Sequence, residues 1–182
     1  MTTSKWNIDA THSGIHFSIR HMVVSKVRGR FAKYSASINL DESDLTRSDV
    51  VVMIDAASLD TGVPDRDTHL RAPDFFDVER FPALRFRSRR IEKVADARYR
   101  VTGDLTIRDV TREVPLDVEY GGQAKDPRGD ERAGFVARAS IDRKDFGLQW
   151  NQVLEAGGAI VGDRVDIEID IEAVKTAAAQ AA

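Results

Sequence analysis

Cysteine is absent from this chain of 182 residues. That excludes a disulfide frame, a thiol nucleophile and a thiolate metal site. Charge of one sign is lacking too: 27 basic residues face 30 acidic ones, a net charge of -3. Such a balance gives no electrostatic footprint for nucleic acid or an anionic membrane. No apolar run approaches the ~18 residues needed to cross a bilayer. The opening MTTSKWNID has no basic stretch leading into an apolar one, so it does not read as a secretory signal. The expectation is a cytoplasmic protein without a transmembrane segment. Aromatic residues make up 7% of the chain, hydrophobic residues 42% and charged residues 31%. This composition suits one domain with a real core, spanning 1–182 and frayed at 1–4 and 176–182.

What is present is period two. Tyr99, Val101, Gly103, Leu105 and Ile107 share one parity, and Arg98, Arg100, Thr102, Asp104 and Thr106 take the other. The same alternation runs through Val114–Tyr120, through Val165–Ile171 and through Ile15–Ile19. Further strands are expected near 26–40, 48–56, 83–91 and 132–142, with a short leading piece at 5–10. Turn residues in YGGQ and DPRGD separate two of them. The fold class is therefore antiparallel all-β, with about eight long strands. Long strands favour closure, because an open edge invites pairing with another chain. The inferred inner face carries small residues, Ser88, Gly103, Ala137 and Ala139. These fit a cavity and a filled, tapered barrel equally well.

The alternation breaks at 57–82. Arg66, Asp67 and His69 fall within four positions, followed by Phe75, Phe76 and Phe81. Asp65 is placed to cap a short helix, Pro73 to stop it, and Asp74 to cap a second turn. One or two short helices crossing a barrel end are expected.

Reaction chemistry finds little support. His12 and His16 share a strand face but stand roughly 13 Å apart, too far for one ion with bonds of about 2 Å. His16 and His21 have opposite parity. No metal site is expected. Asp67 and His69 are two apart, a spacing that points them in different directions on a helix. There is no Gly-x-Ser-x-Gly elbow. EAGGAIVGDR lacks both nucleotide-binding glycine patterns and reads as a loop. In RFRSRRIEK, the parity of Arg85, Arg87 and Arg89 opposes that of Phe86. They are expected to form a solvated outer face paired with acids rather than a nucleic-acid surface.

Several stretches stand in an order that resembles one family. They are WNIDATHSGIHFSIRHMVVSKVRGRF, SLDTG, RDTHLRAPDFFDVERFPALRF, VTGDLTIRDVTREVPL and IDRKDFGL. Together they resemble the YceI-like family of lipocalin-like, polyisoprenoid-binding proteins, from about Trp6 to Val174. The resemblance implies an extended eight-stranded antiparallel barrel with an apolar interior, and short helices at 64–80 as a lid. It implies a long isoprenoid ligand, such as a polyprenyl compound or an isoprenoid quinone, that is carried, stored or sequestered. No other cofactor is implied, and a homodimer is. Two departures stand out: relatives are often exported, and Asp109 occupies a position where glycine is usual.

On this reading the protein is not an enzyme. The expected apolar wall is Ile15, Phe17, Ile19, Phe31, Phe75, Phe76, Phe86, Val101, Leu105 and Phe135. Each buried CH₂ of a ligand is worth about 0.8 kcal/mol there. The expected polar residues, for a head group or the lid, are His21, Arg66, Asp67 and His69. The alternative is an enzyme acting on a hydrophobic substrate, with a His/Asp site at the pocket mouth.

Overall fold

Strand β10 (Glu131–Asp142) pairs with β11 (Val161–Lys175) in a register that sets Ala137 opposite Ile169 and Arg138 opposite Glu168. The inward pair thus matches a small residue to a large one, and the outward pair matches opposite charges. The Arg138 Nε–Glu168 Oε2 distance is 3.2 Å. The computed structural model describes residues 3–155 and 157–177.

The remaining strands are β1 (Thr3–Ile8), β2 (Gly14–His21), β3 (Ser25–Phe31), β4 (Tyr34–Asp41), β5 (Asp49–Asp55), β6 (Leu59–Asp60), β7 (Ala83–Ala95), β8 (Arg98–Ile107) and β9 (Val110–Lys125). All pairings are antiparallel, and the ring β1-β4-β5-β7-β8-β9-β10-β11 closes through β1 on β11. β2, β3 and β6 continue β1, β4 and β5 beyond bends or a 3₁₀ turn. The result is a closed eight-stranded barrel: the alternation implied antiparallel strands, and strand length and the family resemblance implied closure.

Several details differ from expectation. Thr3 and Ser4 are not frayed: they pair with Asp41 and Leu40. Residues 1, 2 and 178–182 lie outside the described residues. Only one α-helix forms among the described residues, α1 (Pro64–Arg71), with Pro64 in its first turn and no side-chain cap. Proline is well placed there, since its missing N–H has no partner in a first turn. Asp65 thus lies inside the first turn, and 73–80 forms turns rather than a second helix. Asp74 is engaged by His69, not by a helix terminus. Arg89 Nε does meet Asp104 at 2.7 Å. Arg85 and Arg87 face outward but form no ion pair among the described residues. At the β8–β9 turn the left-handed residue is Arg108, with φ 55°, and not Asp109.

One end of the barrel is shut. Trp6 is 1% exposed there, packed with Ile38, Leu40, Ala133 and Ala173. Arg132 braces this end by reaching Asp9, Asp126 and Glu172. At the other end, α1, the 73–81 turns, the β2–β3 turn and the 143–160 segment come together.

Candidate functional site

Inside the barrel is a cavity of about 610 Å³. This is within the ~300–1,000 Å³ typical of small-molecule sites. It runs from Leu40 and Val50 near the shut end to α1 and Trp150 at the other. On β10 alone, Phe135 to Ile141 spans six residues, about 20 Å along the strand.

All ten apolar residues singled out from the sequence lie on this wall: Ile15, Phe17, Ile19, Phe31, Phe75, Phe76, Phe86, Val101, Leu105 and Phe135. Strand parity brings eight of them inward. Phe75 and Phe76 come from the turns after α1, and they diverge. Phe76 packs edge-on against Phe31 at 5.9 Å, and Phe31 meets Phe17 at 5.5 Å. Phe75 turns the other way, against Trp150 at 5.4 Å and His69 at 5.1 Å.

The small inward residues do not all leave room. A Cβ on Gly103 would stand 2.5 Å from Phe86 Cζ and 2.5 Å from the Arg87 carbonyl oxygen, and one on Gly29 would stand 2.3 Å from Phe17 Cζ. These glycines seat aromatic rings against the wall. Ser88 accepts a hydrogen bond from the Val50 N–H instead of lining the cavity. Ala139 packs in the core, and only Ala137 of the four borders the cavity.

The polar residues separate. His21, Arg66 and His69 border the cavity at its mouth. Asp67 does not: it is buried, and its carboxylate accepts hydrogen bonds from the Thr61 N–H at 3.0 Å and from the Thr61 hydroxyl. Asp67 therefore ties α1 to the strand before it. Arg66 also holds Thr61, through Nε to the hydroxyl at 2.7 Å and Nη2 to the carbonyl at 2.9 Å. His69 Nε2 lies 3.0 Å from Asp74 Oδ2. The ring of His69 stands edge-on to Trp150 at 4.7 Å. Asp67 and His69 thus serve different partners and form no dyad.

Sequence reasoning missed four lining residues of the 143–160 segment: Arg143, Leu148, Trp150 and Ile160. Periodicity has nothing to say about an irregular segment. Only the apolar residues of LQW, just after IDRKDFG, gave a hint. Arg143 is 2% exposed and binds carbonyls of Gly162, Leu148 and Trp150. Burial lowers its pKa from the ordinary arginine value. Its role is to hold this segment beside the mouth.

A metal-like grouping lies elsewhere, on the outer side of the barrel. One ligand atom each from Asp9, His12 and Glu172 falls within 4.8 Å of the others. Arg132 Nη1 already contacts both carboxylates, 2.7 Å from Asp9 Oδ2. The guanidinium neutralises them and holds the Asp9 carboxyl well below its usual range, with His12 adding to the effect. The donor set fits that arginine rather than a divalent ion.

A family model described as the YceI-like domain matches residues 6–173. The chain belongs to this family. Among relatives, a UPF0312 protein of Staphylococcus epidermidis is 38% identical over 170 residues, covering 93% of this chain and 96% of the relative. The Campylobacter jejuni YceI protein is similar at 32% identity and a TM-score of 0.72, covering 87% of this chain and 90% of that one. The fold is shared with BcnA of Burkholderia cenocepacia at a TM-score of 0.80, with 24% identity and coverage of 91% and 98%. It is shared as well with a structure described as a polyisoprenoid binding domain from Saccharophagus degradans. There the TM-score is 0.67 at 15% identity, covering 95% and 99%.

Proposed function

We propose that the barrel binds a long-chain isoprenoid lipid, either a polyprenyl compound or an isoprenoid quinone, and carries or sequesters it without chemical change. The observation that carries this reading is the cavity itself. It is elongated, closed at the Trp6 end, and walled along its length by aliphatic and aromatic side chains. A chain of branched C5 units is apolar throughout, so every unit gains from removal from water. Three polar lining groups, His21, Arg66 and His69, border the mouth, while Ser48 and Asp49 lie toward the opposite end. A few oriented donors at one end suit the head group of an otherwise greasy ligand. The shared fold of a protein described as polyisoprenoid-binding supports the same ligand class.

The pair His69–Asp74 gives a catalytic reading its best foothold, since an oriented imidazole borders the cavity. No hydroxyl nucleophile accompanies it. Among the described lining residues the one serine or threonine is Ser48, near the opposite end. Binding is therefore the better-supported reading.

Organic extraction of the purified protein, followed by mass spectrometry, tests it. The expected result is a stoichiometric isoprenoid lipid. Straight-chain fatty acids alone, with no uptake of added polyprenyl compounds or quinones, would overturn the assignment.

A further inference from the structure

The three most exposed large apolar side chains, Val24, Val153 and Val23, gather beside the cavity mouth, with Met22 among them. Met22, Val23 and Val24 form the β2–β3 turn and are 43%, 70% and 84% exposed, and Val153 is 80% exposed. They belong to one short ribbon. The Met22 N–H donates to the Ile160 carbonyl at 2.8 Å, the Ile160 N–H donates to the Gln152 carbonyl at 3.0 Å, and Val153 bridges Ala159. From the same ribbon, His21 and Ile160 border the cavity.

This turn is costly as built. Met22 and Val23 adopt φ 51° and 66°. Left-handed backbone is unusual for any residue with a side chain and a true outlier for a β-branched one. Asn and Gly are the residues that suit a tight hairpin of this kind. A turn that only reversed the chain has no use for three exposed apolar groups.

Below the tip, the outer face of the hairpin is cationic. Arg20 stands opposite Lys26, and Arg28 opposite Ser18. Like charges directly opposed destabilise a strand pair. Three nearby acids are already engaged, Asp166 with Arg164, Asp163 with Lys144 and Asp60 with Arg30, and Asp65 at the mouth is one acid without an ion pair among the described residues. Among the described residues, Arg20, Lys26 and Arg28 form no ion pair. The whole-chain balance of -3 hides this local excess.

We propose that the mouth end docks on an anionic phospholipid bilayer, with the Met22–Val24 tip entering the boundary between head groups and acyl chains. Arg20, Lys26 and Arg28 then lie against lipid phosphates. An apolar insertion and a basic flank are the two signals that interfacial binding combines. The proposal rests on the lipid-binding reading of the cavity, and it supplies a route by which an insoluble ligand enters without crossing water. A bilayer fits better than a second copy of the chain. In a two-fold pair the cationic stems would face each other, and a three-residue tip falls far short of the roughly 1,200–2,000 Å² of a stable protein interface.

The test is flotation of the intact protein with vesicles of phosphatidylcholine alone, or with added phosphatidylglycerol. The protein is expected to float with the anionic vesicles and to be released by high salt. The variant Met22→Asn/Val23→Gly/Val24→Thr removes the apolar tip and relieves the backbone. It is expected to melt no lower than wild type, yet to partition roughly tenfold less onto anionic vesicles. Arg20→Gln/Lys26→Gln/Arg28→Gln is expected to lose the preference for phosphatidylglycerol. Three results would overturn the proposal: no flotation of wild type with either vesicle, equal flotation of the tip variant, or a dimer that the tip variant dissolves while neither protein binds vesicles. Uptake of a fluorescent isoprenoid analogue in vesicle-free solution is read separately. It is expected to be equal in wild type and the tip variant. Its absence from both would indict the cavity reading, and flotation would still decide the docking.

Discussion

The tip of the Phe86 ring occupies the space that a side chain at position 103 would need, with Cζ 2.5 Å from where a Cβ would stand. The Arg87 carbonyl oxygen is equally close, and backbone cannot swing aside as a side-chain tip can. Gly103→Ala is therefore expected to destabilise the barrel by about 1–3 kcal/mol, the usual range for overpacking. Urea unfolding measures it. A neutral result would mean that β7 and β8 separate more easily than this contact implies.

Ala137 makes the contrasting case. It borders the cavity, and its partner across β11 is Ile169. Ala137→Trp is expected to fill ligand space and reduce isoprenoid uptake, while the β-sheet circular dichroism stays intact. A folded variant with wild-type uptake would place the ligand elsewhere.

The lid residues Phe75 and Phe76 make opposite contacts, one against Trp150 and one against Phe31. Removing both opens the mouth from two sides. Phe75→Ala/Phe76→Ala is expected to speed the release of a fluorescent isoprenoid analogue several-fold in stopped-flow displacement. Wild-type release rates from a folded variant would show that these rings do not gate the cavity.

His69 contacts Asp74, Phe75 and Trp150. His69→Gln keeps a donor for Asp74 and loses an aromatic edge. Affinity for head-group variants of one isoprenoid is expected to change by less than about tenfold, which is under ~1.4 kcal/mol. Turnover of an isoprenoid by wild type that vanishes in this variant would promote the catalytic reading over binding.

Strand parity made the barrel legible, because side chains alternate with an exact period of two and one face must be apolar. Parity puts Val101, Leu105, Phe86 and Phe135 on apolar faces, and they face the cavity. Parity cannot report what fills a space. Gly103 reads as room, yet Phe86 occupies it. Nor can it report local hydrogen bonding. Asp67 reads as a free carboxylate near the mouth, but Thr61 offers two donors within reach and takes it. Trp150 stayed invisible because its segment has no period. Arg143 holds that segment in place through bonds to backbone carbonyls, which carry no residue signature.

The Asp9, His12 and Glu172 grouping invites a metal test. With Arg132 already between the carboxylates, an ion would have to displace a charge-assisted contact. Chelator is expected to leave the melting temperature and the ligand content unchanged. A stoichiometric transition metal that survives dialysis would overturn this.

Acid should unfold the protein through Asp41. This carboxylate is 1% exposed and accepts hydrogen bonds from Arg47 Nε at 2.8 Å and from the Ser43 and Asp44 N–H groups at 3.0 and 3.1 Å. The Arg47 contact is the largest cause that holds its pKa well below the ordinary 3.8, with Ser43 next. A depressed carboxylate stabilises the fold at any pH above its unfolded value, and that contribution fades as pH falls toward the folded value. His12 acts with the opposite sign. Asp9 raises its pKa above the ordinary 6.5, so its contribution is present below that value and fades as pH rises through the folded one. Asp41→Asn is therefore expected to be less stable than wild type at pH 7, with the gap closing as pH drops below about 4. Urea unfolding at stepped pH reads both curves. A gap that stays constant from pH 7 to pH 3 would mean that Asp41 acts through shape alone and not through its charge.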